Sequence, residues 1–362
     1  MIKVLLIPII IVVSILSLSI SVNGQETKDV LQDTVKVLTK KDKQLAEKEY
    51  NKGVIMLQSN KYDEAISSFN KAINIKVKFP EAFYNRASAK FYKKNYVAAI
   101  QDYNLSITLN PTAKYYLARA IAKYKYNEFD GAKADLDKTI SMDKGSFRTD
   151  AYYYLGCISF IEKKYNNAIG SFSKAIEFDD KYVYAYHDRG SCNRMLKKYD
   201  LALIDYRKAI QLDPKLAIAF NNIASVKKMT KDYQGAITDY TSAISVDTAN
   251  ALAYNNRGTV YKVLEKYDKA ISDFDKAIQI QPNYAIAYNN RANIKFSQKN
   301  YQDALADYNK AIEYNDKYGV GYLNRGICKE MLRDDEGACK DWSKADALGV
   351  SAAGNYLNAQ CK

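Results

Sequence analysis

One spacing constrains this chain more than anything else in it. Alanine returns at Ala65, Ala99, Ala132, Ala168, Ala202, Ala236, Ala270, Ala304 and Ala338, at intervals of 34 residues apart from one of 33 and one of 36. Four residues after each stands a large side chain: Phe69, Tyr103, Leu136, Phe172, Tyr206, Tyr240, Phe274, Tyr308 and Trp342. Twelve residues before each stands a small one: Gly53, Ala87, Ala120, Gly156, Gly190, Ala224, Gly258, Ala292 and Gly326. Three columns in register nine times describe one supersecondary unit copied along the chain. Such a unit buries its apolar face only by stacking on its neighbours.

Inside each copy the period is helical. In Ala251–Gln281, Tyr254, Gly258 and Tyr261 mark one helix, Ala270, Phe274 and Ala277 a second, and the turn lies near Glu265-Lys266. Small residues at the eighth and twentieth positions let the two helices cross closely, and the large residue at position 24 fills the space between a copy and its neighbour. Pro111, Pro214 and Pro282 fall in the connection to the next copy, where a missing amide hydrogen costs least. With only 5 Pro but 32 Tyr, the composition also fits many similar helices sharing one packing contact.

Gly or Ala, Tyr, Ala, aromatic, Ala and Pro in these places, at this period, resemble the tetratricopeptide repeat. The resemblance covers residues 46–348 and implies an all-α, right-handed superhelical solenoid of helix-turn-helix units. Their approximate bounds are 46–79, 80–112, 113–148, 149–182, 183–216, 217–250, 251–284, 285–318 and 319–348. Residues 349–362 read as a C-terminal cap, because an end unit would otherwise expose its apolar face. Departures are local: Glu49 stands where later units have an aromatic, Leu136 is followed by a longer connection through Ser141–Arg148, and Asp335 replaces Tyr or Phe.

The N-terminus points to export. Lys3 is followed by an apolar run from Val4 to Ile20, and Val22-Asn23-Gly24 supplies small residues before Gln25. Residues 1–24 therefore read as a secretory signal peptide and 25–45 as a linker or short helix, the alternative being a retained membrane anchor. The expected setting is extracytoplasmic (periplasm, cell envelope or secreted), as an exported bacterial member of the family. The formal charge of +13 suits an acidic protein, anionic lipid or nucleic acid and selects none of them.

Catalytic signatures are missing. The sole His187 excludes a site built on two His and is expected to be an exposed contact residue. There is no Gly-rich phosphate loop, nucleophile elbow or paired-Cys zinc spacing, so neither enzyme nor cofactor is expected. Position seven holds Arg86, Arg119, Arg189, Arg257, Arg291 and Arg325, and position 23 of the same units holds Asp102, Asp135, Asp205, Asp273, Asp307 and Asp341. Units one and four lose both residues, which suggests a structural Arg–Asp bridge within a unit, Arg being able to meet a carboxylate with a fork of donors.

In the resembled family the first helices line a groove. Position six holds Asn85, Asn222, Asn256, Asn290 and Asn324, with Asn221, Asn255 and Asn289 beside it at position five. This resembles the asparagine ladder by which some family members hold an extended peptide by its backbone, since an amide offers donor and acceptor together. The column breaks at Ala118, Tyr154 and Asp188. Position 12 runs from aromatic (Phe91, Tyr124, Phe160) to basic (Arg194, Lys228, Lys262), and Tyr84, Tyr92 and Tyr153 are further candidate contacts. Cys192 and Cys328 take small core positions, while Cys157 faces the groove. Cys339 faces the cap that carries Cys361, as a disulfide or as two separate thiols. The resulting expectation is an interaction scaffold that grips an extended segment or helix of a protein or peptide partner, an acidic one suiting the basic column. A membrane-surface assembly factor is the second reading, and a nucleic-acid-binding solenoid is disfavoured by the export signal.

Overall fold

Among the described residues Pro is confined to connections and to the start of one helix, at Pro80, so the stretches between turns are free to close helical hydrogen bonds. The computed structural model describes residues 38–143 and 145–361, and among them finds nineteen helices and no strand. The signal segment 1–24 and most of 25–45 lie outside the described residues. The chain divides into two compact parts that meet at Leu196 and Lys197. The first holds α1 (Lys40–Gln58), α2 (Tyr62–Ile75), α3 (Pro80–Tyr92), α4 (Tyr96–Leu109), α5 (Ala113–Lys125), α6 (Phe129–Met142), α7 (Phe147–Ile161), α8 (Tyr165–Phe178) and α9 (Val183–Met195). The second holds α10 (Tyr199–Leu212), α11 (Ala217–Met229), α12 (Tyr233–Val246), α13 (Ala251–Val263), α14 (Tyr267–Ile280), α15 (Ala285–Ser297), α16 (Tyr301–Tyr314), α17 (Gly319–Met331), α18 (Asp335–Ala347) and α19 (Ser351–Gln360).

Within each part, helices pack as antiparallel pairs on their sequence neighbours, the arrangement of a tetratricopeptide-repeat solenoid. The first helix begins at Lys40, six residues ahead of the expected repeat boundary, because Thr39 and Asp42 form a reciprocal capping box there.

The turn between the two helices of a repeat falls in the same place each time. Position 15 is Asn60, Lys94, Asn127, Lys163, Lys197, Lys231, Glu265, Lys299 or Arg333, all with φ between 56° and 66°, and none is glycine. The next amide reaches back five residues, as from Lys266 to the Tyr261 carbonyl at 2.9 Å, which closes a Schellman motif. The left-handed conformation costs roughly 1–2 kcal/mol for a residue with a Cβ. Six of the nine side chains are cations at a helix C-terminus, where the dipole returns about 0.3–1 kcal/mol.

The crossing of the two helices explains the small column. The alanines at position 20, from Ala65 to Ala338, are fully buried. At position eight, glycine accompanies Phe69, Phe172, Phe274 or Trp342, and a Cβ added at Gly53, Gly156, Gly258 or Gly326 would stand 2.5–2.7 Å from that ring. Alanine at position eight accompanies Tyr103, Leu136, Tyr240 or Tyr308 instead. In the tyrosine repeats the phenol meets position nine: Tyr103 and Ser88 share a hydrogen bond at 3.2 Å, Tyr240 and Ser225 at 3.1 Å, and Tyr308 donates to Asn293 Oδ1 at 2.7 Å. The hydroxyl draws the ring toward position nine and leaves room for a methyl at position eight. Positions 8, 9 and 24 therefore vary as a set. In sequence, Gly190, Ser191 and Tyr206 mix the two sets.

Arg at position seven ties repeats as well as helices. Arg257 donates from Nε and Nη2 to Asp273 at 2.9 and 2.7 Å, and from Nη1 to Thr241 of the preceding repeat at 3.0 Å. Arg291 does the same to Asp307 (2.8 and 2.6 Å) and Asp275 (2.6 Å). Arg86 meets Asp102 at 2.8 and 2.6 Å and Asn70 at 2.7 Å. Asp at position 23 also takes the position-eleven lysine, as Lys295 to Asp307 at 2.8 Å. A nearly buried carboxylate thus holds two cations, the arrangement in which a buried charge is tolerated.

At the C-terminus α19 covers α18. Tyr356 stacks on Trp342 with ring centroids 5.0 Å apart, Ala353 is fully buried, and a disulfide joins Cys339 to Cys361 with their Cα atoms 5.8 Å apart.

Candidate partner-binding surface

In the second part, the first helices of successive repeats (α11, α13, α15 and α17) are neighbours. Successive residues on a helix turn by about 100°, so positions 2, 6, 9 and 13 fall within a narrow arc and form one face. On α13 that face is Leu252, Asn256, Thr259 and Val263; on α15 it is Ile286, Asn290, Asn293 and Ser297.

The two asparagine columns separate. Asn221, Asn255 and Asn289, expected as groove contacts, are buried at 3–4 % exposure. Each accepts a hydrogen bond from the position-six asparagine of the following repeat: Asn256 Nδ2 to Asn221 Oδ1 at 3.1 Å, Asn290 to Asn255 at 2.9 Å, and Asn324 to Asn289 at 2.9 Å. Position five, about 100° around the helix, points into the seam between repeats, so these residues are ties and not contact surface. The same seam is closed in the first part by other chemistry, Asn85 Nδ2 donating to Tyr50 Oη and Tyr153 Oη to Asp188 Oδ2, both at 2.8 Å.

The tie also orients the ladder. Asn256, Asn290 and Asn324 spend an amide N–H on the preceding repeat. Among the described residues Asn290 and Asn324 receive no hydrogen bond at Oδ1, and Asn256 Oδ1 meets only Asn255 Nδ2, at 3.5 Å. What this face presents is a row of carbonyl acceptors, able to receive backbone N–H groups from an extended chain. Asn222 occupies the equivalent place on α11 and is half-buried.

Exposed aliphatic side chains flank that row, and the sequence reading missed them. Leu252, Ile286 and Val320 at position two are 43–46 % exposed, and Met229, Val263 and Met331 at position 13 about half exposed. The signal was available: position two changes from Glu47, Glu81, Lys114 and Asp150 in the first four repeats to Ile218, Leu252, Ile286 and Val320 in the last four, and position 13 of those four is apolar apart from Ser297. Exposed aliphatics on both sides of a polar centre are what a protein-binding surface offers.

Several expected contacts turn inward. Phe91 packs on Tyr96 (5.4 Å between centroids), Tyr124 on Tyr154 (5.3 Å) and Phe160 on Tyr165 (5.6 Å), so the aromatic lining is half-buried core edge rather than free anchor. Tyr84 and Tyr153 are buried, and burial pushes the Tyr84 phenol up to about 12. Tyr92 is exposed and stacks on Tyr62. His187, expected at the surface, is only 5 % exposed, with Nδ1 2.8 Å from Asp188 Oδ1. Cys157 is buried like Cys192 and Cys328, and its thiol is raised by desolvation. Arg194 is half-buried on α9.

The basic column keeps its place in the second part. Lys228 Nζ donates to Thr259 Oγ1 on the next first helix at 2.9 Å. Lys228 and Lys262 are both half-buried, and desolvation lowers the pKa of each. No group of three or more His, Cys, Asp or Glu among the described residues is placed to hold a metal, and no described helix is long and apolar enough to cross a membrane.

Comparison with known proteins matches this arrangement. Family profiles described as tetratricopeptide repeat match residues 183–216, 251–284, 285–318 and 80–112, and one described as TPR repeat matches 53–94. RNA polymerase II-associated protein 3 of Xenopus laevis is 37 % identical over 117 residues, 32 % of this chain and 17 % of that protein. Small glutamine-rich tetratricopeptide repeat-containing protein 2 of Saccharomyces cerevisiae is 39 % identical over 157 residues, 43 % of this chain and 40 % of its own length. The chain thus spans less than half the length of either relative. Among solved structures, a tetratricopeptide repeat protein from Parabacteroides merdae superposes with a TM-score of 0.57 at 20 % identity, covering 69 % of this chain and 99 % of that one. Yeast Tom70 gives 0.54 at 16 % identity, covering 87 % and 95 %.

Proposed function

We propose that this chain, built of tetratricopeptide repeats, is a non-enzymatic scaffold that receives an extended segment or helix of a partner protein on the first-helix face of repeats six to nine. The observation that carries the reading is the row of Asn256, Asn290 and Asn324 carbonyl acceptors between exposed Leu252, Ile286 and Val320 on one side and Val263 and Met331 on the other. Side-chain carbonyls that accept backbone N–H groups hold a chain whatever its side chains, and the flanking aliphatics select where its apolar residues fall. Leu252→Ser with Ile286→Ser should weaken partner binding about ten-fold or more while leaving helix content unchanged, because both side chains are exposed. Lys276→Ala with Lys310→Ala, on second helices, should leave binding as it was. The reverse pattern in a titration would put the working surface on the second helices.

The setting is proposed to be outside the cytoplasm, supported by the Lys3 to Gly24 segment. N-terminal sequencing of protein from its own host should begin at Gln25. A chain beginning at Met1 would favour the second reading, an assembly factor held at a membrane surface.

A further inference from the structure

We infer that α10 is a membrane-contact helix, whose outward stripe inserts Leu201 and Ile204 into an anionic lipid surface while Lys197, Lys198, Arg207 and Lys208 meet the headgroups. The inference goes beyond the scaffold reading, since it uses a second helix and leaves the row of Asn256, Asn290 and Asn324 free.

Repeat five breaks the outward column of the second helices. Leu201 at position 19 and Ile204 at position 22 are 50 % and 59 % exposed, and no other large hydrophobic among the described residues is as open as Ile204. The same two positions in the other eight repeats hold only charged, polar or small residues. Leu201, Ile204 and Lys208 follow one another at spacings of three and four, so they share one stripe of α10. On α12, the next second helix, that stripe is Gly235, Thr238 and Ser242, so the two aliphatics stand higher than the side chains beside them. A raised apolar pair suits a surface that yields to it, as the acyl boundary of a bilayer does.

The charges around the pair decide what kind of surface. At position 26 the lysine of other repeats finds an acceptor three residues on: Lys174 meets Glu177, Lys276 meets Gln279 and Lys310 meets Glu313, each at 2.8 Å. Lys208 has Gln211 in that place, yet its ammonium makes no hydrogen bond or ion pair among the described residues. Lys197, Lys198 and Arg207 are exposed and form no ion pair there either. Against these four cations α10 exposes one acid, Asp200, because Asp205 is buried. Lysines at both ends of the stripe can reach lipid phosphates while the aliphatics between them enter the boundary, and each cation gains from the negative potential of an anionic leaflet. A nucleic acid would use the cations and leave Leu201 and Ile204 wet.

The test uses residues 25–362, because every described helix lies within them and the apolar run from Val4 to Ile20 would enter lipid by itself. Vesicles of phosphatidylcholine with about one third phosphatidylglycerol should bind this chain at least about ten-fold more tightly than vesicles of phosphatidylcholine alone. Leu201→Ser with Ile204→Ser, and separately Lys197→Gln with Lys208→Gln, should each weaken that binding about ten-fold with helix content unchanged. Lys276→Ala with Lys310→Ala removes the same charge from two other second helices and should leave it as it was. In Ile204→Trp the added indole should emit at shorter wavelength on the anionic vesicles, over a constant background from buried Trp342. Full binding by the Leu201 and Ile204 double variant, or an unshifted Ile204→Trp emission, overturns the inference. An equal loss in the Lys276 and Lys310 double variant also overturns it, by making the attraction one of net charge alone. Lipid-free binding to polyglutamate or oligothymidylate that the Leu201 and Ile204 substitutions abolish overturns it in favour of a protein or nucleic-acid partner. The scaffold reading is judged separately, by the Leu252→Ser with Ile286→Ser titration.

Discussion

Asn255 and Asn256 are neighbours with opposite fates, and nothing in their chemistry says which is which. One is buried in the seam between repeats and the other faces outward, because about 100° of helix rotation separates them. The nine-fold columns made the fold legible, since a small–small–large register admits one kind of helix crossing. They could not separate two adjacent polar columns, because the seam angle between successive first helices is a property of the packed array. Aromatics misled for a related reason: Phe160 at position 12 lies about 20° around the helix from position five and not on the outward arc, and its ring packs onto Tyr165. The coupling of positions 8, 9 and 24 gives a prediction at this scale. Gly258→Ala places a methyl 2.7 Å from Phe274 and 3.2 Å from the Ala270 carbonyl. Overpacking costs typically 1–3 kcal/mol, and alanine recovers about 1 kcal/mol of helix propensity, so a net loss of about 1 kcal/mol is expected in thermal unfolding. Adding Thr259→Ser and Phe274→Tyr, which reproduces the set Ala224, Ser225 and Tyr240, should restore most of it. A Gly258→Ala variant as stable as the parent would show that the columns vary independently.

Among the elements, α19 is the one whose attachment can be read directly. It is ten residues long, too short to be stable alone, and is held by Tyr356, Ala353 and the Cys339–Cys361 bond. A cross-link closing a loop of this size contributes about 3 kcal/mol by limiting the unfolded chain. Trp342 is the sole tryptophan and lies buried between Gly326 of α17 and Tyr356 of α19, so its emission reports on the packing at this end of the chain. Reduction by a dithiol should shift that emission to longer wavelength, and Cys361→Ser should show the shifted emission with no response to the dithiol. An unchanged spectrum, with both thiols shown free by peptide mapping, would mean that α19 stays docked without the bond.

Across the molecule, position-seven arginines and position-eleven lysines in both parts are committed to position-23 aspartates. What remains for a partner is set by the cations outside those clamps, which are most of the 54 Lys and Arg behind the charge of +13. The ties between repeats carry a consequence for heredity. Asn221 meets Asn256, and Asn255 meets Asn290, with the same two residue types on the same sides; Thr241 and Asp275 both accept from the next arginine. Excising residues 251–284 would bring Asn290 to Asn221 and Arg291 to Thr241, each a pairing of the kind already in use. Such a deletion variant should fold with helix content per residue unchanged by circular dichroism, whereas excision of 34 residues out of step, 268–301 for instance, should not. A lineage carrying this chain can therefore lose or gain a whole copy by unequal recombination without a compensating mutation at the join, so copy number is free to drift where the composition of a junction is not.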